Sequence, residues 1–588
     1  MVRDRSRLYP GGSIVAWIAA GCAAGFVDGT AGLLVDREVA GPLGHRLSTL
    51  ILSGALFTLL FGAGWTLVAA TRLLRRPRHL TPGRIQHYTI GVSAVVMFST
   101  LLIAVFGFPA SRDVTNRSPS IILISIDTLR ADHLSAYGYR RETSANLDAL
   151  ALDGVLFERA FAQSPWTLPS HASMMTGLGP VAHGAVDLHS ALTDAHETLA
   201  ERLGRMGYDT GAFVGGTRAS FIGAKRRLDQ GFGFYAQYPH PRPGWSGLIA
   251  RRLDHVRLKW IDHHVGNARA EIAASLRWIE TRARQPFFLF IHLFDVHSKT
   301  VRLPYEAPEP FRERFCAGVD AAGFDGCAPG GHCASEYLHD LWSGAAPSPS
   351  PDTIERMKCL YDGGIAFVDD ELGRFFDRLR HLGLWENTLV VVTSDHGEAF
   401  FEHRVPDHTE LYDEVLRVPL ILHGPGVPEG QRSPRYARTV DIAPTILALV
   451  GDTAQFGEGG SLFPLRAKRP EDSGGSEVSD LALNKHRGDS VSLRRGQWKY
   501  VIHAPTEYPR VAPRPHEELF DLASDPEEQI NLVRTASDGR VEELREELTQ
   551  IRRQAEKLNA RLVEGSGKIR IHLDENELER LRVLGYAE

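Results

Sequence analysis

The chain has 588 residues, of which 43% are hydrophobic and 23% charged, with a formal net charge of −6 at pH 7. Single cores rarely grow past roughly 300 residues, so a large domain accompanied by smaller pieces is expected. The mild acidity speaks against a general nucleic-acid binder, and the composition is that of an ordinary globular protein.

The N-terminal 110 residues depart from that average. Residues 12–35 are apolar apart from Asp28, and residues 47–71 and 88–110 carry no charge. Each run is long enough to cross a hydrocarbon core, which needs about 20 residues. Three transmembrane helices forming a membrane anchor over residues 1–110 are therefore expected. A cleaved signal peptide is the rival reading of the first run, but no small-residue cleavage site stands out. Arg3, Arg5 and Arg7 precede the first span, and Arg72, Arg75, Arg76, Arg78 and Arg84 lie between the second and third. Basic loops stay in the cytoplasm, so the chain after about residue 111 should be extracytoplasmic, on a multi-pass membrane protein. Cys316, Cys327, Cys333 and Cys359 share one stretch of that external part. Without a C-x-x-C spacing, they point to disulfides, up to two, rather than to a zinc knot.

Ile121, Ile122, Leu123, Ile124 and Ile126 form a short continuous apolar run, the pattern of a strand buried on both faces of a parallel sheet. Similar runs at 211–214, 287–294, 389–393 and 419–422 alternate with helical patterns such as Ile365, Val368, Leu372, Phe375, Leu379 and Leu382. The alternation predicts an α/β sandwich over 118–455. Residues 303–352, rich in Pro, Gly, Ala and Ser, read as an insertion over the sheet edge. Strand-like pieces at 492–503 and 517–522 suggest a small C-terminal subdomain over 480–535. A charged helical pattern from Arg540 to Glu564 opens a helical tail over 540–588.

Open α/β sheets bind ligands beyond the carboxyl ends of their strands. Asp127 follows the first run, and Asp395 with His396 follows the run at 389–393. These are hard or borderline donors suited to a single divalent cation, although an isolated strand-end Asp is more often a cap or turn residue. In Ser164-Pro165-Trp166-Thr167-Leu168-Pro169-Ser170-His171, the threonine stands at an apparent helix start, where its hydroxyl would sit in a positive field. Metal coordination would lower its pKa and make it a nucleophile. The plain alternative is a threonine that only caps the helix. Glu398, Asp132 and Asp441 read as structural carboxylates.

Taken together these segments resemble the sulfatase family, a branch of the alkaline phosphatase superfamily, over roughly residues 118–535. Ile126-Asp127-Thr128-Leu129-Arg130-Ala131-Asp132-His133-Leu134 is similar to its first metal motif, and Ser394-Asp395-His396-Gly397-Glu398 to its second. Thr167-Leu168-Pro169-Ser170-His171 falls where the family carries its nucleophile. Leu411-Tyr412-Asp413-Glu414, Arg417-Val418-Pro419-Leu420, Val440-Asp441-Ile442-Ala443-Pro444-Thr445, Trp498-Lys499-Tyr500 and Leu519-Phe520-Asp521-Leu522 resemble later family segments. The resemblance implies an alkaline-phosphatase-like α/β fold and a metal held by Asp127, Thr167, Asp395 and His396. It also places His297 and His408 in the substrate pocket, where histidine is suited to carry protons. His171 and His403 are further candidates.

Two departures bear on the chemistry. Sulfatases carry Cys or Ser followed by x-Pro-x-Arg and oxidise it to formylglycine; here the two positions are Thr167 and His171. Oxidising a threonine gives a ketone, so the aldehyde hydrate that expels sulfate is not formed. A threonine phosphoester, in contrast, is resolved by attack at phosphorus. Thr128 takes the place of a second metal-binding aspartate, and His396 that of an Asn common in calcium sulfatases. This shifts the expected ion toward Mn²⁺ or Zn²⁺ and away from Ca²⁺. The expected function is cleavage or transfer of phosphate mono- or diesters on a small-molecule, lipid-headgroup or glycan substrate, with the membrane as partner. A sulfuric ester hydrolase is the alternative, and a membrane-tethered binding protein without activity is the third reading.

Overall fold

The computed structural model describes residues 118–578, apart from 217–220, 238–267, 283–284, 299–304, 306, 320–347, 405, 409, 466–478, 485–488, 504–514, 537, 566, 568 and 576. The three apolar runs expected to span a membrane lie outside the described residues. Among the described residues no helix is long and apolar enough to cross a membrane. All described residues belong to one compact unit, Arg112–Glu588.

The large sheet is built from β1 (Ser120–Ile126), β2 (Val155–Phe161), β3 (Asp209–Val214), β4 (Phe234–Gln237), β5 (Phe287–Leu293) and β6 (Thr388–Thr393). After a short ribbon, β7 (Ala399–Phe400) with β8 (Pro406–Asp407), it is completed by β9 (Arg417–Val418), β10 (Leu420–His423) and β11 (Gln431–Arg438). The order is β11-β2-β10-β6-β1-β5-β3-β4, with β9 beside β2. β1 lies at the centre, parallel to β5 and β6, and all seven of its residues are buried. Continuous Ile and Val runs fit this position because helices cover both faces.

The sheet is mixed, not wholly parallel: β10 runs antiparallel to both β6 and β2. A short apolar run has the same sequence signature in either direction, so direction was not legible there. The strand β2 escaped notice because Glu158 and Arg159 interrupt its apolar pattern. One face packs against the helix Thr167–Thr176, the other against the helices Ala268–Arg282 and Pro351–His381. Cys316 is bonded to Cys359, clamping the short helix Phe311–Cys316 to the long one; Cys327 and Cys333 lie outside the described residues. A second sheet follows, β12 (Ser479–Asn484), β13 (Ser490–Arg495), β14 (Trp498–Ile502) and β15 (Glu517–Asp521), backed by the helix Arg540–Leu562.

Candidate active site

The site forms where β1, β5 and β6 end side by side. Asp127 leaves β1, Asp395 and His396 leave β6, and all three are fully buried. Their ligand atoms lie within 4.8 Å of one another. The backbone that presents them is closely tied: the Ser394 hydroxyl lies 2.6 Å from both the Ile126 and His396 carbonyls, donating its one proton to either, and accepts from the Leu129 N–H. Thr128 adopts a left-handed conformation at φ 58°, uncommon for a β-branched residue, and donates its hydroxyl to the Asp127 carbonyl at 2.7 Å. Its side chain therefore faces its own backbone rather than the donors. Gly397 is required for a different reason: a Cβ there would stand 2.2 Å from the Glu414 carbonyl oxygen.

The donors present unsatisfied lone pairs to one another. Asp395 accepts the Thr128 and His396 N–H groups at Oδ1, leaving Oδ2 without a hydrogen bond. His396 Nδ1 lies 3.0 Å from the Gly397 carbonyl, which can only accept, so Nδ1 carries the proton and Nε2 a lone pair. That Nε2 lies 3.3 Å from Asp395 Oδ2 and 3.7 Å from Asp127 Oδ1, and none of the three makes a hydrogen bond. Three buried acceptors converging without a donor are costly unless a cation sits among them, so these residues fit a divalent metal ion.

The two carboxylates differ in environment. Burial and the neighbouring Asp127 push Asp395 up. Burial also acts to raise Asp127, but the facing His297, His292 and His396 rings outweigh it and hold it below the ordinary carboxylate range. His396 is pushed down to about 3, chiefly by burial, which keeps it a neutral ligand.

Thr167 is the first residue of its helix and is buried. Trp166 precedes it in extended conformation and makes no side-chain cap, so the helix starts at the threonine itself. Ser170 donates to the Asp395 carbonyl at 2.5 Å, fixing the first turn against the end of β6. His171, one turn on, donates from Nδ1 to the Thr167 carbonyl at 2.8 Å and accepts from Ser125 at Nε2, 3.0 Å away. Nδ1 also lies 3.5 Å from Asp395 Oδ2. With both ring nitrogens engaged and its pKa pushed down to about 4 by burial, His171 orients the helix as a neutral group.

His297 and His408 meet above the donors, their rings 5.0 Å apart, and His408 lies 4.5 Å from the His396 ring. His297 donates from Nδ1 to the Ser298 carbonyl and stacks on Phe294. His408 Nδ1 faces Asp407 Oδ1 at 2.5 Å and Glu398 Oε1 at 3.4 Å. Glu398, read from sequence as structural, is buried beside His408, its carboxyl pushed up to about 7 by burial. His403 is placed elsewhere: it stacks on Tyr412, pairs with Glu414 at 2.7 Å and reaches the Glu528 carbonyl. Asp132 pairs with Arg130, and Asp441 accepts from the Arg438 and Gly460 N–H groups. His292, on β5, was not singled out from sequence, although it is the only polar residue in that strand.

The sulfatase family model matches residues 119–452, more than half of the chain, and the chain belongs to that family. It is an ester hydrolase of the alkaline phosphatase superfamily. The multifunctional alkaline phosphatase superfamily protein PehA of Trinickia caryophylli is 25% identical over 70% of this chain and 91% of its own length. The choline-sulfatase of Rhizobium meliloti strain 1021 is 24% identical over 71% of this chain and 83% of its own. Among solved structures, the phosphonate monoester hydrolase of Agrobacterium radiobacter superposes with a TM-score of 0.56 at 24% identity, covering 74% of this chain and 96% of that one.

Proposed function

We propose that the protein cleaves or transfers phosphate mono- or diesters outside the cytoplasm, with Thr167 as its nucleophile. The observation that carries this reading is a threonine, not an oxidisable cysteine or serine, heading the helix tied to three converging, unsatisfied donors. A divalent ion held by Asp127, Asp395, His396 and the Thr167 hydroxyl would supply positive charge to the ester oxygens and acidify the threonine. The Thr167 Oγ forms a bond to phosphorus as the bond to the leaving oxygen breaks, and His408 or His297 donates the proton the leaving group needs. Water, or an acceptor hydroxyl in a transfer, then attacks the same phosphorus and releases Thr167.

The phosphonate monoester hydrolase likeness and the relative named multifunctional favour phosphorus chemistry. The choline-sulfatase and arylsulfatase relatives favour the second reading, sulfuric ester hydrolysis. The three apolar runs and their basic loops support a membrane anchor with the enzyme outside, where a lipid headgroup or envelope glycan is in reach. The Cys316–Cys359 disulfide suits an oxidising compartment.

The test compares hydrolysis of bis-nitrophenyl phosphate and nitrophenyl sulfate by the detergent-solubilised full chain, with Thr167→Ala as the blank. Phosphodiester cleavage that the variant lacks is expected. Cleavage of the sulfate alone establishes the second reading, and full activity in Thr167→Ala overturns the nucleophile.

A further inference from the structure

His292 stands opposite Ser125 in the β1–β5 pairing, at the carboxyl end of β5, and is 1% exposed. The other four histidines of the site each have Nδ1 anchored: His171 on the Thr167 carbonyl, His396 on Gly397, His297 on Ser298 and His408 on Asp407. His292 is the exception, with neither ring nitrogen hydrogen-bonded. Its Nε2 lies 3.2 Å from Asp127 Oδ2, while the other oxygen of that carboxylate faces His396 Nε2 at 3.7 Å. Asp127 is therefore held between two imidazoles, and the ligand atoms of His292, His171 and Asp395 also gather within 4.8 Å.

We infer that His292 is a direct ligand of the divalent ion, beside Asp127, Asp395 and His396. This rests on the reading that those donors hold a cation. Two donors about 2.1 Å from one ion, at angles between octahedral and tetrahedral, stand roughly 3.0–3.4 Å apart. The 3.2 Å from His292 to Asp127 Oδ2 and the 3.3 Å from His396 to Asp395 both fall in that range, and the 3.7 Å from His396 to Asp127 Oδ1 is a little longer. The competing role, an N–H donor that merely orients Asp127, would need the aligned hydrogen bond that is missing here. His171 does not compete for the position, because both of its nitrogens are engaged. Two imidazoles with two carboxylates make a borderline donor set, which selects Zn²⁺ or another transition ion over Ca²⁺ and Mg²⁺.

The test counts imidazoles on the metal. The full chain in detergent is stripped, loaded with one equivalent of Cu²⁺ and measured by pulsed EPR, in which the remote nitrogen of each coordinated imidazole modulates the echo. The expected result is two imidazoles in the wild type and one in His292→Gln, which keeps an amide N–H for Asp127. Zn²⁺ affinity, measured by chelator competition, should fall at least 100-fold in that variant, with Ca²⁺ affinity changed less than 10-fold. One imidazole in the wild type, or two in His292→Gln, overturns the inference. Should His292→Gln fail to fold, His396→Gln must retain one imidazole, and none overturns it. Failure of the wild type to bind any stoichiometric ion is a separate result that removes the cation reading itself.

Discussion

Replacing Asp395 with asparagine should stabilise the metal-free protein while abolishing its response to metal. Asp127 and Asp395 are buried with ligand oxygens within 4.8 Å, and Asp395 Oδ2 has no hydrogen-bond donor. Two unit charges at that separation repel by roughly 3.5 kcal/mol at an effective dielectric of about 20. The amide oxygen of the replacement side chain still accepts from the Thr128 and His396 N–H groups, and its NH₂ offers Asp127 a donor. After partial relaxation, a gain of about 2 kcal/mol is expected in chelator, which for a unit of this size is roughly 2 °C in melting temperature. Because burial raises the folded pKa of Asp395, the penalty is absent at low pH and grows as pH rises above the unfolded carboxylate value, so the advantage of the variant grows with it. In saturating Mn²⁺ the order reverses: the wild type gains about 2.7 kcal/mol at 100 times its Kd, and the variant gains little. Scanning calorimetry of both proteins in EDTA and in Mn²⁺ reads all four values. A variant no more stable than wild type in EDTA would refute the view that these donors converge for a cation.

Three further outcomes follow from the same geometry. Lys499 is buried between Asp413 at 2.7 Å and Glu528 at 2.6 Å, so Lys499→Met should destabilise the protein by about 3–5 kcal/mol through an uncompensated carboxylate; a melting temperature near wild type speaks against it. The folded Glu398 pKa of about 7 exceeds its unfolded value, so in chelator the wild type should lose stability from pH 5 to 7, and Glu398→Gln should flatten that slope in denaturant titrations. Asp407 holds Nδ1 of His408, so Asp407→Asn should lower kcat about tenfold for poor leaving groups such as phenol but not for nitrophenol; equal losses on both would remove proton donation by His408.

The parts of the fold legible in sequence were those with one dominant signal. The five apolar runs coincide with β1, β3, β5, β6 and β10 because strands buried on both faces admit little else. Strands with one wet face were missed: β2 carries Glu158 and Arg159, and β11 carries Gln431, Arg432 and Arg435. Asp127, Asp395 and His396 could be named because strand ends are where such sheets bind ligands. His292 was hidden inside a strand of the expected composition, and only the β1–β5 register shows that it lies beside Asp127. The setting of Glu398 was not legible because what distinguishes it is the approach of His408, ten residues on, across the β7–β8 ribbon.

Charge around the donors bears on which ester the site prefers. The family's arginine position is filled by His171, which is buried, bonded at both nitrogens and kept neutral by a pKa pushed down to about 4. Arg130, the nearest arginine in sequence to Asp127, is occupied by Asp132 and Glu402. Among the described residues, the side chains shown to meet around the donors are imidazoles and carboxylates, and the Thr167–Thr176 helix carries no Lys or Arg. A phosphate monoester brings two negative charges near neutrality and a diester one, so the diester is better matched to this smaller countercharge. A sulfate ester also carries one charge, so the charge count does not separate the two chemistries; under the proposed mechanism the threonine does. The expected outcome is kcat/KM at least tenfold higher for bis-nitrophenyl phosphate than for nitrophenyl phosphate. A preference for the monoester would show that positive charge reaches the phosphoryl group from elsewhere in the chain.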